Sequence, residues 1–330
     1  MFLPYTHESI RLTGRWDKAA DRATATATGS YVEFCFEGRM AVARFDIDMN
    51  MLPYLHLWIQ IDGGDMIEAS VDRYIRVRAA KEGVHICRII YKGGTEASAR
   101  WYLPLTGKVT FLGVQCDKPI AIPEDTRKTV EFVGDSITEG VLIDVDYHEG
   151  APREASYIDP LNRCYQDDVC ATYAWLTAEK LNLRPIFMGY GAVGTTHGGM
   201  GMVPAAATAY PFNFEGSPIS HNPSDFVVIN HGANDRSAAP EIYVEKYALL
   251  LDEVRKYNPN AVIVALSAFC GGHRDALAEG IKQYNEKNGT NVHFVNGSDW
   301  IPPQPLHPLR DGHATVAENL APILKEIFQL

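Results

Sequence analysis

Nowhere in the 330 residues do eighteen apolar residues run consecutively, which excludes a membrane-spanning helix of ordinary composition. The opening Met1-Phe2-Leu3-Pro4-Tyr5 has neither a charged start nor an apolar stretch of secretory type. As written, the sequence points to the cytoplasm, or to secretion if a leader has been removed. No lysine- or arginine-rich run offsets the formal net charge of 30 − 41 = −11, so nucleic acid and anionic membranes are poor partners. The six cysteines, Cys35, Cys87, Cys116, Cys164, Cys170 and Cys270, include no C-x-x-C pair and read as free thiols, mostly buried. His148, His197, His231 and His313 fall in no H-E-x-x-H or comparable spacing, so they read as hydrogen-bonded histidines rather than metal ligands.

What is present is a core-forming composition, 46% hydrophobic and 22% charged, on a chain longer than one usual domain. From residue 30 to about 115, short alternating runs are separated by turn residues: Ser30–Glu37, Met40–Asp48, Leu55–Asp62, Tyr74–Arg78, Val84–Tyr91 and Val109–Gln115. Period-two alternation without a long helical pattern predicts an antiparallel sandwich or jelly roll over residues 1–118. Trp16, Trp58 and Trp101 within it read as core, with a sugar-stacking platform as the functional alternative. Residues 119–128 form a linker. From Thr129 the rhythm becomes strand, loop, helix. Strands are predicted at Thr129–Val133, Pro185–Met188, Phe226–Asn230, Val262–Leu266 and Val292–Val295, and helices at Asp168–Leu181, Ile242–Tyr257, Arg274–Lys287 and Ala314–Phe328. That alternation predicts a parallel sheet covered on both faces over residues 129–330.

Four stretches carry chemistry, each at a predicted strand end or near the start of the last helix. In the first, Val130-Glu131-Phe132-Val133 ends in Gly134-Asp135-Ser136, placing a serine in a tight turn at the edge where open α/β sheets bind ligands. A hydroxyl there needs a general base and N–H donors for the charge it creates. The second is Gly189-Tyr190-Gly191-Ala192-Val193-Gly194-Thr195-Thr196, the third Gly232-Ala233-Asn234-Asp235, and the fourth His307-Pro308-Leu309-Arg310-Asp311-Gly312-His313. Taken singly, glycine, aspartate and serine are ordinary turn residues. Two long connections, Val141–Asp167 and His197–Asn222, leave the same edge and are predicted to wall the pocket, with Tyr147, His148, Tyr157, Tyr165, Tyr210, Phe212 and Phe214 as lining candidates.

The four stretches, in this order, resemble the conserved blocks of the GDSL, or SGNH, hydrolases, esterases and lipases with a flavodoxin-like three-layer α/β/α fold. The resemblance implies Ser136 as nucleophile, His307 as base, and Asn234 and Gly194 as oxyanion donors, with Gly191 the alternative glycine. Asp235 reads as a cap or turn residue. The family usually carries Asp three residues before its catalytic His, whereas this chain has Gln304. A neutral acceptor, a backbone carbonyl or the Gln304 amide oxygen, is expected to orient His307, with Asp299 and Asp311 as charged stand-ins.

A β-sandwich ahead of an SGNH domain that lacks this Asp looks like carbohydrate esterase family 2. That resemblance implies a serine esterase removing O-acetyl groups from xylo- or manno-type plant oligosaccharides, with no cofactor or metal. The rival readings are a lipid or aryl esterase, a sugar O-acyltransferase and a non-catalytic carbohydrate-binding protein.

Overall fold

The structure is a computed structural model and describes residues 1–145 and 163–330. Ten strands make one antiparallel sheet: β1 (Phe2–Pro4), β2 (Ile10–Thr13), β3 (Asp17–Lys18), β4 (Ala23–Ala25), β5 (Tyr31–Phe45), β6 (His56–Ile61), β7 (Ile67–Ser70), β8 (Tyr74–Arg78), β9 (Val84–Gly93) and β10 (Val109–Pro119). The two runs expected on either side of Gly38 are one strand, β5. Its first half pairs with β2 and β9, and from Met40 onward it pairs with β8 and β10. Gly38 sits between the halves at φ +121°, a conformation that costs glycine little. One strand therefore serves both layers of the sandwich. Phe34, Phe36, Phe45, Leu57, Ile89, Phe111 and Val114 fill the core they enclose. The strands the pattern missed, β1 to β4 and β7, are two to four residues long, too short for alternation to register.

The second sheet is parallel, with β11 (Thr129–Gly134), β12 (Arg184–Gly189), β15 (Phe226–Asn230), β16 (Val262–Leu266) and β17 (His293–Val295) in the order β12-β11-β15-β16-β17. This is the flavodoxin-like order, whose ligand crevice lies at the carboxyl ends of the strands. Successive residues feed opposite faces. Val130, Phe132, Val228 and Val264 meet α2 (Tyr173–Lys180) and α6 (Arg310–Phe328), while Val133, Val227, Ile229 and Ile263 meet α4 (Pro240–Tyr257) and α5 (Arg274–Asn288). The helix expected over Asp168–Leu181 is interrupted at Thr172, whose side chain accepts from the Trp175 N–H and caps α2. The His197–Asn222 connection holds a short helix, α3 (Ala206–Ala209), and the hairpin β13 (Phe212–Phe214) with β14 (Ser217–Pro218).

The two sheets are joined by buried polar side chains. Arg15, between β2 and β3, pairs with Glu131 on β11 at 2.8 Å with both groups buried, and also donates to the Tyr210 and Phe212 carbonyls. The Tyr210 hydroxyl donates to the other Glu131 oxygen at 2.6 Å. Burial alone would raise the Glu131 pKa, but Arg15, then His221 and Tyr210, outweigh it and hold the carboxyl below its ordinary value. Lys92, at the end of β9, donates to the carbonyls of Cys164, Tyr165 and Asp167. Trp16 and Trp101 are buried core residues; Trp58 is half-buried and donates its indole N–H to Asp168.

Arg15→Met would leave Glu131 as an uncompensated charge in the core. The expected loss is about 3–5 kcal/mol of unfolding free energy, read by urea denaturation; a loss within the noise of a surface substitution would show that the ion pair does not tie the sheets together.

Candidate active site

Ser136 opens α1 (Ser136–Glu139), a single helical turn directly after β11. The chain can turn this tightly because residue 134 is glycine: a Cβ there would lie 2.1 Å from Thr138 Oγ1 and 2.9 Å from the Asn230 carbonyl. Asp135 caps the turn, its Oδ1 accepting from the Ile137 N–H at 2.9 Å. Gly140 closes it at φ +93°, donating to the Ser136 carbonyl. One turn of helix has almost no stability of its own. Glu139 instead forms an ion pair with Arg100, from the loop between β9 and β10, with both side chains buried. The Thr28 hydroxyl donates to the Glu139 carbonyl at 2.9 Å. The antiparallel half thus holds the serine's helix in place.

His307 lies in the loop before α6, and its Nε2 is 2.8 Å from Ser136 Oγ. Three residues on, Arg310 grips Asp144 and Asp168, the same Asp168 that accepts from Trp58. The histidine loop is therefore tethered both to the segment after α1 and to the sandwich. Burial first, and the nearby Arg163 guanidinium second, push the His307 pKa down to about 4. Among the described residues nothing accepts a hydrogen bond from His307 Nδ1. Asp299 accepts from Asn296, and Asp311 from the Gly312 N–H at the start of α6. Among the described residues no neutral acceptor, Gln304 included, makes a hydrogen bond with the ring.

Asn234 follows β15, and its amide donates to Asp135 Oδ2 and to the Val193 carbonyl, each at 3.2 Å. Burial, together with the nearby Asp235 charge, raises the Asp135 carboxyl to about 7 against the pull of the Ile137 N–H. Asp235 is a turn clamp rather than a helix cap. It accepts from the Thr195 and Thr196 N–H groups and the Thr196 hydroxyl, whereas α4 begins only at Pro240. Those hydrogen bonds outweigh burial and hold its pKa below the ordinary value. Gly194 has no room for a side chain, since a Cβ would lie 2.6 Å from Asp235 Oδ1. Its N–H, however, already donates to the His197 carbonyl at 3.1 Å. Gly194 is thus part of the turn, and its N–H would have to leave the His197 carbonyl to serve as a donor. Among the described residues the Gly191 N–H makes no hydrogen bond.

The remaining candidates divide. His313 is buried in α6, where its Nδ1 accepts from the Tyr173 N–H, and burial takes its pKa down to about 3. His231 is buried, and burial lowers it to about 4. His197 is exposed, with ring nitrogens near the Gly198 and Asn234 carbonyls. Among the described residues no three His, Cys, Asp or Glu side chains are grouped as metal ligands would be. Tyr210, Phe212 and Phe214 do not wall the site. The connection carrying them crosses to the opposite edge of the sheet, where Tyr210 and Phe214 are buried and Phe212 packs edge-on against Trp101. There Ser220, His221 and Asn222 border a cavity of about 390 Å³ beside Thr129 and Arg184, at the strand starts and away from Ser136. Tyr165 is exposed against His56; Tyr147, His148 and Tyr157 lie outside the described residues. The supports missed from sequence are single arginines, Arg100 in a loop, Arg163 opening a 3-10 turn and Arg310 opening α6, and no local pattern distinguishes them from solvated ones.

Residues 132–315 match the GDSL-like lipase/acylhydrolase family. The cellulase/esterase CelE of Acetivibrio thermocellus is 27% identical over 96% of this chain, which spans 39% of that protein's length. A family two carbohydrate esterase from Clostridium thermocellum, solved with cellohexaose, superposes with TM-score 0.75 at 23% identity, covering 96% of this chain and 98% of the other. The acetyl xylan esterase Est2A from Butyrivibrio proteoclasticus superposes with TM-score 0.78 at 18% identity, covering 99% and 98%. At such identities the structural likeness establishes the two-part fold. The family match covers more than half of the chain, and the serine, asparagine and histidine blocks fall inside it: the chain belongs to the GDSL-like lipase/acylhydrolase family.

Proposed function

We propose that this esterase removes O-acetyl groups from xylo- or manno-type plant oligosaccharides, with Ser136 as nucleophile and His307 as base. The observation that carries the reading is the 2.8 Å contact of His307 Nε2 with Ser136 Oγ at the carboxyl edge of a flavodoxin-like sheet. The sugar substrate is supported by the cellohexaose-bound carbohydrate esterase and the acetyl xylan esterase that share the two-part fold.

In this mechanism neutral His307 takes the Ser136 proton as Oγ attacks the acetyl carbonyl. The oxyanion is met by the Ser136 N–H and by the Asn234 amide, which must first release Asp135 or the Val193 carbonyl. A further amide comes from the turn after β12: Gly191 offers an uncommitted N–H, whereas Gly194 must first release the His197 carbonyl. His307 then protonates the leaving sugar oxygen, and water repeats the sequence to free acetate. A Ser-His pair without a carboxylate stays competent if the ring is fixed by other means. Here the Arg310 tether restrains the loop, while burial and the nearby Arg163 charge keep the ring neutral.

Acetate release from acetylated xylo- and manno-oligosaccharides is expected from the parent and absent from Ser136→Ala; release only from longer p-nitrophenyl esters would move the assignment to a lipid or aryl esterase. Because the base must be neutral and titrates at about 4, kcat/KM should hold level from neutral pH down to about 5 and fall in more acid solution; an acid limb centred near 6.5 would contradict it. Asp299→Ala and Asp311→Ala should each stay within about tenfold of the parent, while His307→Ala drops by about 10⁴ or more; a comparable collapse in either aspartate variant would reveal a third catalytic member.

A further inference from the structure

One donor and one acceptor beside the Ser136-His307 pair are left unused by the mechanism. Arg163 is buried, and although its Nη1 pairs with Asp167, its Nη2 makes no hydrogen bond among the described residues. The group facing it is Glu96, whose Oε1 lies 3.9 Å away, beyond hydrogen-bond reach. Among the described residues the Glu96 carboxylate accepts no hydrogen bond. A buried guanidinium N–H without an acceptor is costly, so an arrangement that leaves it open calls for a partner from outside the chain.

Both groups are at the site. Glu96 follows β9 in the antiparallel half and stands over Gly191, where a Cβ would be 2.0 Å from Glu96 Oε2. Gly191 lies two residues beyond Gly189, which pairs with Gly134, and Ser136 lies two residues beyond Gly134. Arg163 is close enough to His307 to depress its basicity. Glu96 is also expensive where it is. Asp135, Glu139 and Asp167 are raised first by burial, and the Glu96 charge raises each of them further. A carboxylate held among three others, with no hydrogen bond in return, is a poor structural element and a good acceptor for hydroxyls.

We propose that Arg163 and Glu96 form a hydroxyl clamp, the Arg163 Nη2–H donating to one sugar hydroxyl and the Glu96 carboxylate accepting from its neighbour on the ring that bears the acetyl ester. The clamp rests on the acetyl-sugar reading above and adds to it the residues that select a polyhydroxylated alcohol part over a simple one. It also gives the antiparallel half a direct part in recognising substrate, through Glu96.

The test compares Arg163→Lys and Glu96→Gln with the parent on acetylated xylobiose and on p-nitrophenyl acetate, whose alcohol part has no hydroxyls to clamp. Arg163→Lys keeps the charge near His307 and Asp167 and removes the planar fork. The ratio of kcat/KM for the sugar ester to that for p-nitrophenyl acetate is expected to fall about tenfold or more in each variant, chiefly through KM, as losing a charged hydrogen bond implies. An unchanged ratio in both variants, with a parent active on both esters, would overturn the clamp alone. A parent that cleaves p-nitrophenyl acetate but no acetylated sugar would overturn the substrate reading and the clamp with it.

Discussion

The serine rides on a helix of one turn, and a helix that short holds its shape only if something outside it does the holding. The buried Glu139–Arg100 ion pair does so, assisted by Thr28 on the Glu139 carbonyl. Arg100 and Thr28 belong to the antiparallel half and Glu139 to the other, so the position of Ser136 is fixed across the boundary between the two sheets. Removing either partner of such a pair leaves a charge in a water-free site. The N-terminal half is thereby part of the machinery that holds the nucleophile.

The same logic governs the histidine. Among the described residues no carboxylate orients His307, and its Nδ1 meets no acceptor. Its loop is instead pinned by Arg310 to Asp144 and Asp168, and Asp168 is in turn held by Trp58 of the sandwich. A ring kept neutral by burial needs less help from a counter-charge to act as a base, though it also gains less when it becomes protonated. Arg163 sharpens that balance by disfavouring the imidazolium.

Around the site, charge is concentrated where solvent is scarce. Asp135 and Asp167 are pushed up to about 7 and about 6, chiefly by burial, whereas Asp235 is held down by its hydrogen bonds to the Thr195-Thr196 turn. Adjacent carboxylates are thus shifted in opposite directions, because hydrogen bonds outweigh burial at Asp235 and burial outweighs them at Asp135. At the opposite edge of the sheet, the cavity beside Thr129 and Arg184 has no nucleophile and base in contact among the described residues.

Local sequence determined the strands of the parallel sheet to within a residue or so, because both faces of each strand are buried and the apolar runs are continuous. It also determined the Gly134-Asp135-Ser136 turn, since only glycine fits beneath Thr138 and only a short polar side chain caps the next N–H. The pairing of Ser136 with His307, 171 residues apart, was legible only through the resemblance of separated blocks to a family, not from spacing or periodicity. What tertiary structure alone decided was every contact between the halves: Arg15 with Glu131, Arg100 with Glu139, Trp58 with Asp168, and Glu96 over Gly191. It also decided that the Gly194 N–H is already engaged and that Tyr210 belongs to the core. These depend on burial and on partners many residues away, and an isolated charge in a loop looks the same in sequence whether it ends in water or against another charge.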